Sequence, residues 1–354
     1  MELYQVTKGE NWNTNFEDWV GRDLWLASST PCSWGGVTCA DGHVSEIMLG
    51  LVGLEGALPA SIGSLTGLTK LDLTDNLLTG VPPEIGSLTN LTELSLAFNQ
   101  LTDLPAEIGN LSNLTALYLS GNALESLPPI GGLTSLTNLS LDQNRLTSLP
   151  PEIGNLTRLE GLGVSENQLT SLPAELGSLT SLIYLYVNYN QLTSLPPEIS
   201  SLTNLIELDA SLNRLSSLPP GFGQLTNLMV LKLNDNQLSS LPAEIGNFTN
   251  LSELYLSNNA LTSLPPEIGK LTNLTLLFLS ENKLSSVPPE IGNLTGLLLL
   301  YLGDNELGEL PLEISSLTNL DELWLTGNPL TSLPEEICAA LGMAIVPYQE
   351  LCTP

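Results

Sequence analysis

The sequence predicts an α/β repeat solenoid built from short parallel strands, and three observations carry that expectation. An asparagine recurs at Asn76, Asn99, Asn122, Asn144, Asn167, Asn190, Asn213, Asn236, Asn259, Asn282, Asn305 and Asn328, 23 residues apart at every step except one of 22. Each asparagine closes the pattern LxxLxLxxN, as in LTELSLAFN (91–99) and LTLLFLSEN (274–282). A proline-bearing segment, LTSLPPEIGNL or a variant of it, then follows, with proline in every unit from Pro59 to Pro334. A fixed period of this size means that one unit is one supersecondary element, which buries its apolar side only by stacking on its neighbours.

Each part of the chain has its own reason. Residues 1–43 lack the repeat and carry GENWNTNFEDW, DLWL and PCSWGGVTC, the composition of a cap, with Trp12, Trp19, Trp25 and Trp34 placed to cover the first open core layer. Repeats occupy 44–333, about thirteen units, beginning with a degenerate one, VSEIMLGLV (44–52), that puts Val52 in the asparagine place. Within LxL the two leucines point to one side of a strand and the middle residue to the other, because side chains alternate with period two. The asparagine carries donors and acceptors for the backbone of the turn that leaves the strand; truncating such an amide when buried costs about 1–3 kcal/mol. Proline fixes φ and donates nothing to a central ladder, so the second half of each unit is expected to be a short 3-10 or irregular turn on the back. A back wider than the strands forces curvature, with the sheet inside. Residues 334–354 form a second cap, in which MAIVPYQEL (343–351) fits one more strand with Pro347 in its middle, a residue that blocks further pairing at an edge.

The four cysteines sit at the ends, Cys32 with Cys39 and Cys338 with Cys352, and read as two local disulfides in an oxidising compartment. A zinc site joining the two ends would have to span the whole repeat region, and only His43 is available to help.

On these residues the chain resembles the leucine-rich repeat family over about 44–333. Its first 43 residues look like the N-terminal cap of secreted plant-type members, and LEGALP and LLTGVP in the first units resemble plant-type repeats, whereas later units read LTSLP. The resemblance implies a leucine-rich repeat horseshoe with a parallel concave β-sheet and a 3-10 or irregular convex side. It also implies secretion or a cell-surface place, and roles such as receptor ectodomain, adhesin or inhibitor of a secreted enzyme. No secretory signal precedes Glu2, so that reading expects one removed on maturation.

Composition narrows the function. The formal net charge is −29, which disfavours nucleic acid and anionic membrane surfaces, since both require neutralisation by lysine and arginine. No apolar run is long enough to insert into a membrane. Much of the acid repeats in one column, Glu84, Glu107, Glu152, Glu175, Glu198, Glu244, Glu267, Glu290, Glu313 and Glu336, read as a solvated back rather than a calcium cage. One histidine, paired cysteines and no phosphate-cradling glycine loop leave no catalytic set, so the expectation is a protein that is not an enzyme and needs no cofactor or metal.

Recognition is left to the inner face. Its central column runs Met48, Asp72, Ser95, Tyr118, Ser140, Gly163, Tyr186, Asp209, Lys232, Tyr255, Phe278, Tyr301 and Trp324. Tyr255, Phe278, Tyr301 and Trp324 therefore stand side by side on four consecutive strands, and Tyr184, Tyr186 and Tyr189 form a second cluster. Exposed aromatic residues anchor interfaces because they bring large contact area at small entropic cost. Glu253, Glu281, Lys283, Asp304, Glu306, Asp321 and Glu322 surround the stripe. The leading expectation is a protein or peptide ligand with basic residues; a glycan stacking on the rings is the alternative. A third reading, ice binding, comes from the threonine rank Thr66, Thr89, Thr134, Thr157, Thr180, Thr203, Thr226, Thr249, Thr272, Thr295 and Thr318, although loop placement and hydroxyl bonds to local backbone explain it more simply. Sequons begin at Asn90, Asn110, Asn113, Asn138, Asn155, Asn247, Asn250, Asn273 and Asn293, with Asn138 on a predicted strand near the inner face.

Overall fold

Each LxL motif becomes a three-residue strand, and the constant period brings the strands into exact one-to-one register. The computed structural model describes residues 2–6, 31–347 and 351–352, and the chain forms two units, Met1–Leu169 and Thr170–Pro354. The first unit begins with α1 (Glu2–Val6) and the strands β1 (Val37–Ala40) and β2 (His43–Met48), which pair antiparallel. From β2 the pairing is parallel, through β4 (Lys70–Asp72), β6 (Glu93–Ser95), β7 (Ala116–Tyr118) and β8 (Asn138–Ser140) to β9 (Gly161–Gly163). Between them, β3 (Glu55–Ala57) and β5 (Leu77–Gly80) form a separate two-stranded sheet in the units that read LEGALP and LLTGVP, an element the repeat pattern did not announce. The second unit is parallel throughout: β10 (Tyr184–Tyr186), β11 (Glu207–Asp209), β12 (Val230–Lys232), β13 (Glu253–Tyr255), β14 (Leu276–Phe278), β15 (Leu299–Tyr301), β16 (Glu322–Trp324) and β17 (Ile345–Val346).

The repeated leucines form the core, and most are wholly inaccessible, Leu254, Leu277 and Leu300 of neighbouring strands among them at 0% exposure. Beside them runs a ladder of asparagines. The Asn282 carbonyl accepts from the Leu261 amide at 3.0 Å, and its amide donates to the carbonyls of Leu256 at 2.9 Å and Leu279 at 3.0 Å. One side chain thus serves the backbone of its own unit and of the preceding one, and the same set recurs at Asn76, Asn99, Asn144 and Asn213.

The residue before each asparagine turns the chain out of the strand in the left-handed region, with φ from 52° to 56° at Asp75, Phe98, Gln143, Glu166, Tyr189, Leu212, Asp235, Asn258, Glu281 and Asp304. That conformation costs an L-residue about 1–2 kcal/mol. Backbone bonds to the next unit hold it, as when Asp235 N donates to Ser257 O at 2.9 Å and Asn236 N to Asn258 O at 3.1 Å.

On the back, proline opens most of the 3-10 turns from an extended conformation, as Pro288 does at φ −70° and ψ 148° for Pro289–Asn293. These turns stack so closely that glycine is required: a Cβ on Gly177 would stand 2.6 Å from the Glu198 carbonyl oxygen. Serine replaces that glycine at Ser200, where the opposed residue is Gly221, and at Ser315, where the next back element is α2 (Glu335–Leu341). The 22-residue unit has lost its 3-10 turn over 128–132, while its strand and asparagine are unchanged. The last back element is thus an α-helix, not the expected 3-10 turn, and it buries Ile337 and Leu341. The final strand is also shorter than the sequence suggests, since β17 pairs only Ile345 and Val346 and ends before Pro347.

Disulfides join Cys32 to Cys39 and Cys338 to Cys352. Trp34 is half-buried beside the first disulfide, whereas Trp12, Trp19 and Trp25 lie outside the described residues.

Candidate functional site

Register brings the predicted aromatic column together. Tyr255 pairs with Phe278, Phe278 with Tyr301, and Tyr301 with Trp324, all on the exposed face of the second unit's sheet. Strand spacing is about 4.8 Å, and the Tyr255 and Phe278 rings stack with centroids 4.8 Å apart and planes 9° from parallel. These two rings therefore turn faces toward each other. Tyr301 meets Phe278 edge-on, at 4.9 Å and 80°, and lies 6.0 Å from Trp324 at 42°. Trp324 is 38% exposed and folds down over Gly303, where a Cβ would stand 2.7 Å from the indole Cδ1.

Period two places the first residue of each strand on the same face. Beside the rings runs Glu253, Leu276, Leu299 and Glu322, with Leu298 at 40% exposure and Met229 at 46% one position earlier. Counting only the middle residue of LxL misses these leucines, although the alternation that finds the tyrosines also finds them.

Three tyrosine hydroxyls of this face are committed to carboxylates. Tyr255 donates to Glu253 Oε2 at 2.7 Å, Tyr301 to Glu322 Oε2 at 2.5 Å, and Tyr186 to Glu207 Oε2 at 3.3 Å. Partial burial and the neighbouring carboxylate push Tyr186 and Tyr255 up to about 12, and the bond to Glu322 raises Tyr301, so all three remain protonated donors at neutral pH. Lys232 Nζ lies 2.9 Å from Glu207 and 3.9 Å from Asp209. Partial burial pulls this ammonium down, but Glu207 and Asp209 outweigh that effect and leave it above the usual lysine value.

The second predicted cluster divides. Tyr184 and Tyr186 stack on β10, with centroids 6.4 Å apart and planes 14° from parallel. Tyr189 lies beyond the strand on the left-handed turn, 55% exposed. Glu281 and Asp304 occupy the corresponding turn position beside the main stripe, both exposed.

The first unit presents a different face. Lys70 pairs with Glu93 at 2.9 Å, Thr74 bonds Ser95 at 2.6 Å, and Asp142 Oδ2 accepts from Ser140 at 2.9 Å. The central column here is largely polar, with Tyr118 as its aromatic residue and Met48 exposed at its start.

Two periodic features have structural employment. The threonine rank is exposed on the turns that enter the strands, but the bonds it makes differ from the expectation: the carbonyls accept, Thr66 from Asn90 at 2.8 Å and Thr249 from Asn273 at 2.7 Å. The hydroxyl ladder belongs to a different position, one residue before the strand, where Thr92 donates to Thr69 O at 3.0 Å and Thr115 to Thr92 O at 2.9 Å. The repeated glutamates sit in the first turn of the 3-10 elements, with Glu336 in that of α2, and among the described residues no group of three or more His, Cys, Asp or Glu is arranged to hold a metal ion.

A stack of parallel strands with a leucine core, an asparagine ladder and 3-10 backs defines a leucine-rich-repeat solenoid, and the outward face of the second unit's sheet carries the aromatic stripe. The chain belongs to the leucine-rich repeat family, and plant receptor-type repeat proteins are among those it is similar to. Family models described as leucine-rich repeat match residues 66–124, 134–192 and 249–292, a leucine-rich repeat region matches 175–260, and a further repeat matches 319–340. A solved leucine-rich repeat protein of Leptospira interrogans is 41% identical over 85% of this chain and 83% of that one, with a TM-score of 0.70. The structure of PEPR1–AtPEP1 is 33% identical with a TM-score of 0.82, covering 95% of this chain and 49% of that one. The plant peptide hormone receptor RGFR1 in complex with RGF2 is also 33% identical, at a TM-score of 0.71, over 89% of this chain and 60% of that one. Curated relatives match over shorter stretches: Receptor-like protein 36 of Arabidopsis thaliana is 44% identical over 55 residues, 16% of this chain and 8% of that protein. Among the described residues no helix is long and apolar enough to cross a membrane.

Proposed function

We propose that this chain is the ligand-binding part of an extracellular receptor-type protein, and that it binds a peptide, or an extended segment of a partner protein, along the aromatic stripe of its second unit. The observation that carries this reading is the run of four registered strands presenting Tyr255, Phe278, Tyr301 and Trp324 beside Leu276 and Leu299. A continuous, half-buried aromatic and aliphatic surface that ends in the exposed Trp324 is the composition of an interface centre. Two of the similar structures, PEPR1–AtPEP1 and RGFR1 with RGF2, are complexes, the latter of a peptide hormone receptor. Two disulfides fit an oxidising, extracellular setting. A glycan fits the stripe less well: sugars stack on open ring faces, and Tyr255 and Phe278 turn their faces to each other.

Peptide and glycan arrays probed in parallel with the oxidised chain and with a Phe278→Ala/Trp324→Ala variant test this. Peptide signals lost in a folded variant are expected. Glycan signals lost in the same variant, with no such peptide signals, would replace the reading with a lectin-like one.

A further inference from the structure

The stripe holds two carboxylates at a fixed distance with two leucines between them. The first residues of four consecutive strands are Glu253, Leu276, Leu299 and Glu322, paired one to one. Tyr255 fixes the Glu253 carboxylate from within the same strand, at 2.7 Å. Tyr301 fixes Glu322 from the preceding strand, at 2.5 Å, drawing that carboxylate back toward β15. The two anions therefore stand between two and three strand spacings apart, about 10–14 Å. A phenol has one proton to give, so each carboxylate keeps its other oxygen free to accept. Among the described residues neither Glu253 nor Glu322 forms an ion pair, and Lys232, one strand before Glu253, is held by Glu207 at 2.9 Å.

On the peptide-binding reading above, we infer that the occupant of the stripe is an extended basic segment lying across the strands, with Lys or Arg at positions i and i+4 and an apolar side chain at i+2. An extended chain rises about 3.3 Å per residue and alternates its side chains, so i and i+4 share a face about 13 Å apart. That span matches the carboxylate pair. The i+2 side chain then falls over Leu276 and Leu299, midway between the anions. Spacings of i+2 and i+6 give about 7 and 20 Å, and odd spacings put the cations on opposite faces. The net charge of −29 steers a cationic segment toward the protein, while the spacing selects the site.

The test uses three capped synthetic peptides of one composition, two Arg and one Leu in a Ser/Gly background, with the arginines at i and i+2, i and i+4, or i and i+6. Each is titrated calorimetrically against the oxidised full chain at low salt, and against Glu253→Gln and Glu322→Gln, which keep side-chain volume and an acceptor for the tyrosine. The i,i+4 peptide is expected to bind about tenfold more tightly than the other two, with the advantage lost in either variant. Equal affinity at all spacings, an advantage that survives both substitutions, or no binding by any of the three overturns the inference. The array result with Phe278→Ala/Trp324→Ala is independent of the spacing series: stripe-dependent peptides lacking the basic pair would remove this inference and keep the broader reading.

Discussion

Asn282 is 8% exposed and bonds one amide and three carbonyls drawn from two units, so its loss orphans backbone that packing has closed to water. Asn282→Ala is expected to cost about 2–3 kcal/mol, measured by urea unfolding, with amide exchange rising first at Leu261. Tyr255 makes a different kind of prediction. Its folded pKa is raised from 10.0 to about 12, so the folded state holds the phenolic proton where the unfolded chain has released it. The stabilisation from this group is therefore whole below pH 10 and is lost as pH rises through about 12. The difference between wild-type and Tyr255→Phe ultraviolet titrations should place the phenolate step near pH 12; a step at 10 would contradict the partial burial and the Glu253 bond that together raise it.

At the scale of elements, the backs are closed by contact distance rather than by backbone strain. Gly177→Ala sets a methyl 2.6 Å from Glu198 O and 2.7 Å from its Cβ, both in the next turn, and should lower stability by about 1–3 kcal/mol. Ser200→Ala, at a position that already carries a Cβ, should stay within about 0.5 kcal/mol. Thermal melts of the two variants side by side check the contrast. This distinction is hard to read from sequence, because GSL, GNL and SSL look interchangeable until the opposing residue is known. The strands were legible because their leucines obey one period, and that period alone put Tyr255, Phe278, Tyr301 and Trp324 in one column. Leu276 and Leu299 were hidden by the same composition, since a leucine that faces solvent looks like one more core residue. The commitment of Tyr301 to Glu322 was illegible for another reason: the bond crosses between units, and charge at the rim does not reveal which hydroxyl holds it. Tyr189 was grouped with β10 by proximity, but the left-handed turn carries it past the strand.

For the molecule as a whole, the open core layer at its C-terminal end is closed by a cap that disulfide chemistry holds in place. Ile337 at 0% and Leu341 at 7% exposure cover that layer, and Cys338–Cys352 closes a separation of 14 residues over it. Cys338→Ser/Cys352→Ser should lower the stability of the second unit by about 3 kcal/mol in the chain-entropy account, read from denaturant unfolding under oxidising conditions; an unchanged midpoint would show that packing alone holds the cap. Stability in a stack of this kind passes from neighbour to neighbour, and the asparagine ladder makes each rung's chemistry the same as the next. Its bonds join a residue to counterparts one unit away, so gain or loss of 23 codons leaves every surviving asparagine with partners of the same kind. The one-residue loss at 128–132 cost a back turn and spared the rung. A gene for such a chain can change copy number by whole rungs, altering how far the molecule reaches while each rung keeps the same wiring.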